Sequence, residues 1–161
     1  MAEIRYGHVE GPGKGREYKV TKDCYIARRG GKFVRLARGV ATLCATGNAL
    51  VFGWAETPKD ADGKVAWKSS STWRKDSVFV IYGLDDVYEL PCDEKNASLK
   101  SLNATWLGLG AGLVITGATY NTVQKAKIGG SITASPVTIV DYDLTNHTVR
   151  VKIKPSKKQG N

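Results

Sequence analysis

The sequence has few of the residues on which catalytic and metal sites are most often built. Its 161 residues include two histidines and three cysteines. His8 and His147 both fall in predicted loops, and no Ser/His/Asp or Cys/His set stands where a nucleophile and its base would meet. We therefore predict that the chain is not an enzyme and that it holds no cofactor and no metal ion.

The cysteines also lack the spacing that a covalent or metal framework needs. Cys24, Cys44 and Cys92 are odd in number and far apart in sequence. Both properties argue against a disulfide framework and against a zinc site. We expect three reduced and buried thiols, as in a chain that matures in a cytoplasm.

Long apolar runs and long helical periodicity are missing as well. No apolar run approaches the length of a membrane span, and residues 1–19 are polar and Gly-rich, unlike a signal peptide. The chain has 18 glycines and short apolar runs between turn residues. This pattern predicts an all-β fold, a small antiparallel β-sandwich or barrel with an extended N-terminal arm.

The basic residues gather at the two ends of a chain whose net charge is +9. Residues 1–40 contribute +6, residues 41–149 contribute −2, and residues 150–161 contribute +5. A nearly neutral body thus has two cationic ends. Such ends attract phosphates or an acidic protein surface, and the attraction weakens as salt is added.

The chain length suits one domain. We assign residues 1–16 to the arm, 17–154 to the β domain, and 155–161 to a basic tail. Alternatively, the β domain divides into two sub-parts, residues 17–76 and 77–154. The arm carries four glycines among its charges and cannot bury a face of its own, so it is either a disordered terminus or a segment that orders against a partner.

The stretch 77–94 is the predicted centre of the fold. Val78–Tyr82 is an apolar run typical of a strand that is covered on both faces, and a second run follows an acidic turn at Asp85-Asp86. We expect these two strands to form a hydrophobic spine. The carboxylates in and after the turn are interpreted as a solvated acidic edge or a contact for a basic neighbour, rather than as an acid/base pair.

Two hairpins are predicted on either side of this spine. The first joins the run at 24–27 to the run at 32–36 through Gly30-Gly31, which suits a primed two-residue turn. The second joins 137–142 to 149–154, where apolar and polar residues alternate and leave a cationic face exposed. Further strands are predicted at 40–44, 50–54 and 124–128.

Candidate binding residues follow from these elements. The arm, the basic hairpin and the tryptophans of residues 54–73 supply the candidates for partner binding, namely Arg5, Lys14, Arg16, Arg28, Arg29, Arg35, Trp54, Trp67 and Trp73. The basic hairpin could contact nucleic acid or an acidic protein, or form a solvated face. The tryptophans belong to an interface if they are exposed and to the core if they are buried.

The second half of the chain resembles capsid decoration (cement) proteins of tailed phages. The resemblance covers about residues 77–154 and rests on the order of four stretches, FVIYGLDDVYEL, ASLKSLNATWLGLGAGLV, TGATYNTVQKAKIGG and VTIVDYDLTNHTVRVKIKP. It implies a β-rich, non-enzymatic module on the capsid surface of a virion, made in the host cytoplasm. It also implies homo-oligomers, with a trimer favoured, that bridge subunits of the major capsid protein.

Two functional hypotheses remain after the sequence analysis. The preferred one is a virion structural protein that stabilises the capsid shell, with no membrane contact. The alternative is a small basic β-barrel that binds single-stranded nucleic acid through Tyr25, Phe33, Arg28 and Arg35. We regard nucleic acid as the less favoured partner.

Overall fold

A computed structural model of the chain describes most of its residues, namely 7–26, 32–56, 62, 68–92, 106–116, 123–128, 135–143 and 145–160. The strands are, in chain order, β1 (Gly7–Glu10), β2 (Gly15–Lys19), β3 (Lys32–Ala37), β4 (Val40–Leu43), β5 (Gly53–Ala55), β6 (Ser77–Ile81), β7 (Val87–Pro91), β8 (Gly110–Thr116), β9 (Val123–Lys127), β10 (Val137–Asp143) and β11 (Thr148–Ile153). A short 3-10 helix, Pro155–Lys157, follows β11. None of the helical segments in these ranges is long and apolar enough to cross a membrane.

The strands form two antiparallel sheets that pack together. Sheet A has the spatial order β1-β7-β11-β10-β8-β9, and sheet B has the order β2-β6-β5-β3-β4. This architecture confirms the predicted all-β sandwich. Both sheets curl strongly. Isolated bridges show this, because they place Val20 beside Ala41 in sheet B and Cys92 beside Ala126 in sheet A.

The main core lies between the sheets and is built around three aromatic rings. Phe33 and Trp54 come from sheet B, Tyr88 comes from sheet A, and all three are fully buried. The Phe33 ring is 4.9 Å from Trp54 and 5.1 Å from Tyr88 between centroids, in edge-to-face arrangements. Val, Ile and Leu side chains from both sheets surround them.

A second cluster covers the other face of sheet B. It contains small apolar side chains from the strands, such as Val34, Ala55 and Val80, and from the irregular segment 20–26. The backbone of Ser69 donates to Cys24 O, and Val20 donates to Asp76 O. Apart from its edge strand β2, sheet B is therefore covered over much of both faces, one against a sheet and the other against hydrogen-bonded loops.

The predicted spine is buried except at Phe79, which is 38% exposed, and its two strands are not a hairpin. β6 belongs to sheet B and β7 to sheet A, so residues 82–86 cross from one sheet to the other. The first predicted hairpin was also wrong, because Tyr25 bridges Lys68 and β3 pairs with β4 and β5. Its Gly30-Gly31 turn lies outside the described residues.

The final hairpin is confirmed. β10 pairs with β11, and Val137, Ile139, Val149, Val151 and Ile153 face the core. A bulge at Val140 shifts the register, so that both Val140 and Asp141 stand opposite Arg150. The outer face carries Arg150 between Glu89 and Asp141.

Both chain ends are part of the folded body where the structure describes them. The predicted arm differs from the structure over residues 7–16, which enter sheet A as β1 and sheet B as β2. The predicted tail is packed too, since Lys158 forms an isolated β-bridge with Val51. The Gln159 side chain accepts a hydrogen bond from Leu36 N–H and donates one to Leu36 O. Residues 1–6 and 161 lie outside the described residues.

Candidate interaction surface

The described residues contain no group of three His, Cys, Asp or Glu side chains that could hold a metal ion. The three cysteines are buried thiols, as predicted. Burial raises the pKa of Cys24 and raises that of Cys44 to about 12, which keeps both thiols protonated and unreactive at neutral pH.

One carboxylate of the acidic turn is structural. Asp86 is fully buried, so the prediction of a solvated acidic edge is wrong at this residue. Its Oδ1 accepts from the backbone N–H of Gly13 at 2.7 Å and from His8 Nε2 at 2.8 Å. A Cβ on Gly11 would overlap Asp86, which explains why the chain is Gly-rich here. The acidic turn thus clasps residues 8–13 onto the body.

The two cationic ends of the chain meet on sheet B. The N-terminal end arrives along β2, where Arg16 pairs with Val80, and Tyr82 donates its backbone N–H to Lys14 O. The C-terminal end arrives through Lys158, which is held beside Val51. Strand pairing therefore joins two charge clusters that are separated by more than a hundred residues in sequence.

Aromatic rings connect these cations. Tyr18 packs edge-on against Phe52 at 5.2 Å between ring centroids, and Phe52 lies 5.8 Å from Tyr82. Lys158 Nζ sits 4.2 Å from the centre of the Phe52 ring, and the Arg16 guanidinium sits 4.8 Å from that of Tyr18. The rings hold the cations in place by cation–π attraction.

We name this set the cationic aromatic surface, which consists of Lys14, Arg16, Tyr18, Phe52, Tyr82 and Lys158. Arg16 also donates to Tyr18 Oη at 2.8 Å, which orients its guanidinium. Partial burial lowers the pKa of Lys158 from its ordinary value. No carboxylate in the described part of the chain forms an ion pair with Lys14, Arg16 or Lys158. The surface therefore presents uncompensated positive charge.

The structure separates the predicted binding residues into three groups. Lys14, Arg16, Arg35 and Trp73 are exposed. Trp54 is fully buried in the core, because β5 turns it toward sheet A, so its prediction as an interface residue is wrong. Four other predicted residues, Arg5, Arg28, Arg29 and Trp67, lie outside the described residues.

The two aromatic residues that were predicted to stack on bases are not both accessible to a base. Phe33 is fully buried between the sheets and cannot receive a base. Tyr25 is half-buried, and Lys68 Nζ lies 5.3 Å from the centre of its ring. The nucleic-acid hypothesis therefore loses one of its two predicted aromatic platforms.

Sequence reasoning missed Tyr18, Phe52, Tyr82 and Lys158. Each has an unremarkable neighbourhood in the sequence, and only the pairing of β2 with β6 and the packing of the C-terminal end bring them together. The one available signal was the concentration of positive charge at both ends of the chain. Comparisons of the chain with protein-family models, with curated proteins and with solved structures found no match.

Proposed function

We propose that the chain is a virion structural protein that decorates a phage capsid and binds an acidic surface of the major capsid protein through the cationic aromatic surface. The observation that carries the proposal is the meeting of both cationic ends on one face, without carboxylate partners among the described residues. The resemblance of residues 77–154 to decoration proteins supports the choice of partner.

The geometry favours carboxylates over bases as the bound groups. Arg16 and Lys158 lie over the faces of Tyr18 and Phe52, so these faces are already occupied by the chain's own cations. A base would have to displace the cation before it could stack on the ring. A carboxylate needs no displacement, since it binds the outward side of a guanidinium or ammonium group.

If the chain binds the assembled shell more tightly than the separated capsid subunits, that difference is sufficient to stabilise the shell. A ligand that binds one state more tightly than another shifts the equilibrium toward the bound state by mass action. Repetition over many identical sites adds these contributions without requiring a strong contact at any one site. A rigid β-sandwich suits this role, because it loses little conformational entropy on binding.

The attachment mode differs from the free arm that the sequence suggested. Residues 8–13 are clasped by Asp86, and β1 and β2 are paired within the chain's own sheets. The described part of the N-terminal segment thus supplies a preformed surface instead of an unfolded strand. Binding through a preformed surface avoids the cost of ordering a segment at the moment of contact.

Co-sedimentation with purified empty heads of the phage that encodes the chain tests the proposal. We expect the wild-type chain to sediment with the heads at low salt and to be released as salt rises. Arg16→Glu combined with Lys158→Glu should weaken binding about tenfold or more, because both contacts become repulsive. Lys127→Glu, an exposed charge reversal on β9, is the matched control and should bind as the wild type does.

Two results would contradict the proposal. The first is a wild-type chain that stays in the supernatant with heads at low salt. The second is tight binding of a labelled single-stranded oligonucleotide at physiological salt, measured by fluorescence anisotropy, which would favour the nucleic-acid alternative instead.

A further inference from the structure

The loop that precedes β6 holds an exposed tryptophan in a fixed conformation. Trp73 is 47% exposed. The buried carboxylate of Asp76 accepts from the backbone N–H of Ser70, and Ser70 Oγ accepts from Thr72 N–H. Arg74, which follows the tryptophan, has a φ of 60°, a left-handed value that residues other than glycine adopt only rarely. A defined backbone therefore holds the ring in water, which is a cost in the isolated chain.

Cations accompany this tryptophan. Arg74 and Lys75 follow Trp73 in the chain, and Lys19 Nζ donates to Lys75 O at 3.3 Å. All three cationic side chains are exposed, and none forms an ion pair with another described residue. We name Trp73, Arg74, Lys75 and Lys19 the Trp73 knob.

Carboxylates near the knob do not cancel its charge. Asp23 is bonded to the same loop through its backbone, but its carboxylate pairs with Lys68 Nζ at 3.0 Å. Asp76 is buried and bonded to a backbone N–H. Glu17 is exposed on β2, two residues before Lys19, and offsets one of the three cations. The knob therefore keeps an excess of positive charge.

Strand β2 joins the knob to the cationic aromatic surface. Arg16 and Tyr18 belong to that surface, and Lys19 of the knob follows them on the same strand. Arg16 and Lys19 are three residues apart, which is about 10 Å along an extended strand. A standard interface buries about 800 Å² on each partner, a patch roughly 30 Å across. One partner can therefore cover both surfaces at once.

We propose that Trp73 is the apolar anchor of this interface and that it enters an apolar pocket rimmed by carboxylates on the major capsid protein. The partner is that of the proposed function, on which this inference rests. Tryptophan and arginine are the residues that most often dominate protein interfaces, and the cations of the knob complement an acidic rim. The two surfaces have different effects: the exposed cations speed the encounter, and Trp73 slows the dissociation.

A protein pocket fits the knob better than a nucleic acid does. Proteins that bind single strands stack successive bases on successive aromatic side chains. No other described aromatic ring contacts Trp73. The nearest aromatic residue on β2 is Tyr18, and the Arg16 guanidinium already lies 4.8 Å from the centre of its ring. A single exposed ring suits one pocket, not a row of bases.

Co-sedimentation with empty heads over a range of salt concentrations tests the anchor. Trp73→Ser should weaken binding at least about tenfold at every salt concentration, because the lost contact is apolar. Arg16→Glu combined with Lys158→Glu should instead reduce the salt dependence of binding. Trp73→Phe keeps an aromatic ring and should retain most of the affinity. Leu107→Ser is the matched control, since Leu107 is 45% exposed on the turn before β8 of sheet A.

Photo-crosslinking identifies the partner directly. With p-benzoylphenylalanine in place of Trp73, irradiation of decorated heads should join the chain to the major capsid protein. The same group in place of Leu107 should give no such product. Mass spectrometry of the product locates the partner segment, which should be apolar and flanked by Asp or Glu. Circular dichroism shows whether each variant is folded.

Three results would overturn the inference. If the wild type does not bind heads, the proposed function fails and the anchor fails with it. If the wild type binds heads and folded Trp73→Ser binds them equally tightly, or the crosslink does not reach the capsid protein, the anchor is wrong and the proposed function stands. If the wild type binds a labelled single-stranded oligonucleotide at physiological salt and Trp73→Ser does not, the knob stacks on bases and both proposals fail.

Discussion

Apart from its edge strand β2, sheet B is covered over much of both faces, but the two faces are covered by different means. One face packs against sheet A through large side chains, with Phe33 and Trp54 meeting Tyr88. The other face has small side chains that are covered by segments 20–26 and 68–76. The comparison shows that a sheet needs a second layer but that this layer can be irregular, provided that its backbone groups find hydrogen-bond partners.

A buried polar side chain bonds the backbone across each of these layers. Between the sheets, Gln124 of β9 is almost fully buried and bonds the backbone of Phe33 and Cys44 across the interface. On the far face, buried Ser69 bonds the backbone of Thr21 and Cys24. Three predictions test whether these side chains secure the two layers as differently as their positions suggest.

The largest effect is expected at Gln124. Its Oε1 accepts from Phe33 N–H at 2.7 Å, and its Nε2 donates to Phe33 O at 3.3 Å and Cys44 O at 3.2 Å. Gln124→Met keeps most of the volume but leaves buried backbone groups without partners, so the free energy of unfolding should fall by about 3 kcal/mol. Urea denaturation measures the loss.

The control for Gln124 is its exposed neighbour Lys127, whose replacement by Ala should change stability by less than about 0.5 kcal/mol. A Gln124→Met variant as stable as the wild type would show that the two sheets are joined by apolar packing alone.

A smaller effect is expected at Ser69 on the far face. Ser69 Oγ accepts from Cys24 N–H at 2.8 Å and donates to Thr21 O at 2.6 Å. Ser69→Ala should lower the free energy of unfolding by about 2 kcal/mol, because both side-chain hydrogen bonds are lost. The loss is smaller than at Gln124, because the backbone hydrogen bond from Ser69 N–H to Cys24 O remains. The matched control is Ser71→Ala at an exposed position of the same loop.

Amide hydrogen exchange measures the local stability of the two layers separately. In Ser69→Ala, faster exchange should be confined to the amides of segments 20–26 and 68–76, whereas the ladder between β10 and β11 keeps its protection. Equal loss of protection in both sheets would mean that the far layer and the sandwich unfold as one unit.

The sequence predicted local features of this architecture well. Alternation of apolar and charged residues sets the inner and outer faces of β10 and β11, and the short apolar run at 78–81 marks β6 as a strand that is buried except at Phe79. Both features depend on residues that are close in sequence. The all-β class follows from them without knowledge of any long-range contact.

The pairing of the strands could not be predicted from neighbouring residues in the same way. The five residues between β6 and β7 suit a hairpin, but Asp86 is drawn into the body by His8 and Gly13, which lie more than seventy residues earlier. The cationic aromatic surface depends on such pairings as well. The far layer was missed because segment 20–26 buries apolar side chains without a regular period and segment 68–76 contributes the buried polar residues Ser69 and Asp76.

The smallest effect is expected from pH and concerns Lys32, whose Nζ donates to Tyr25 O at 3.1 Å in the far layer. Burial lowers its pKa from 10.5 to about 8. Between these two values the unfolded chain binds more protons than the folded chain, so this residue makes stability rise as the pH increases from about 8 to about 10.5. Buried Cys24, Cys44 and Tyr88 have raised pKa values and act in the opposite sense, so the wild-type curve alone does not isolate Lys32.

The difference between the wild type and Lys32→Met removes the contributions of Cys44 and Tyr88, which are common to both proteins. Only Cys24, whose charge interacts with that of Lys32, changes its titration with the substitution. The variant should gain stability relative to the wild type by about 1 kcal/mol at pH 7, and the gain should disappear as the pH approaches 10.5. Urea denaturation of both proteins across this range measures the difference. A gain that stays constant with pH would mean that Lys32 keeps an ordinary pKa and that the far layer admits water, whereas the inter-sheet core would remain the only dry layer of the described fold.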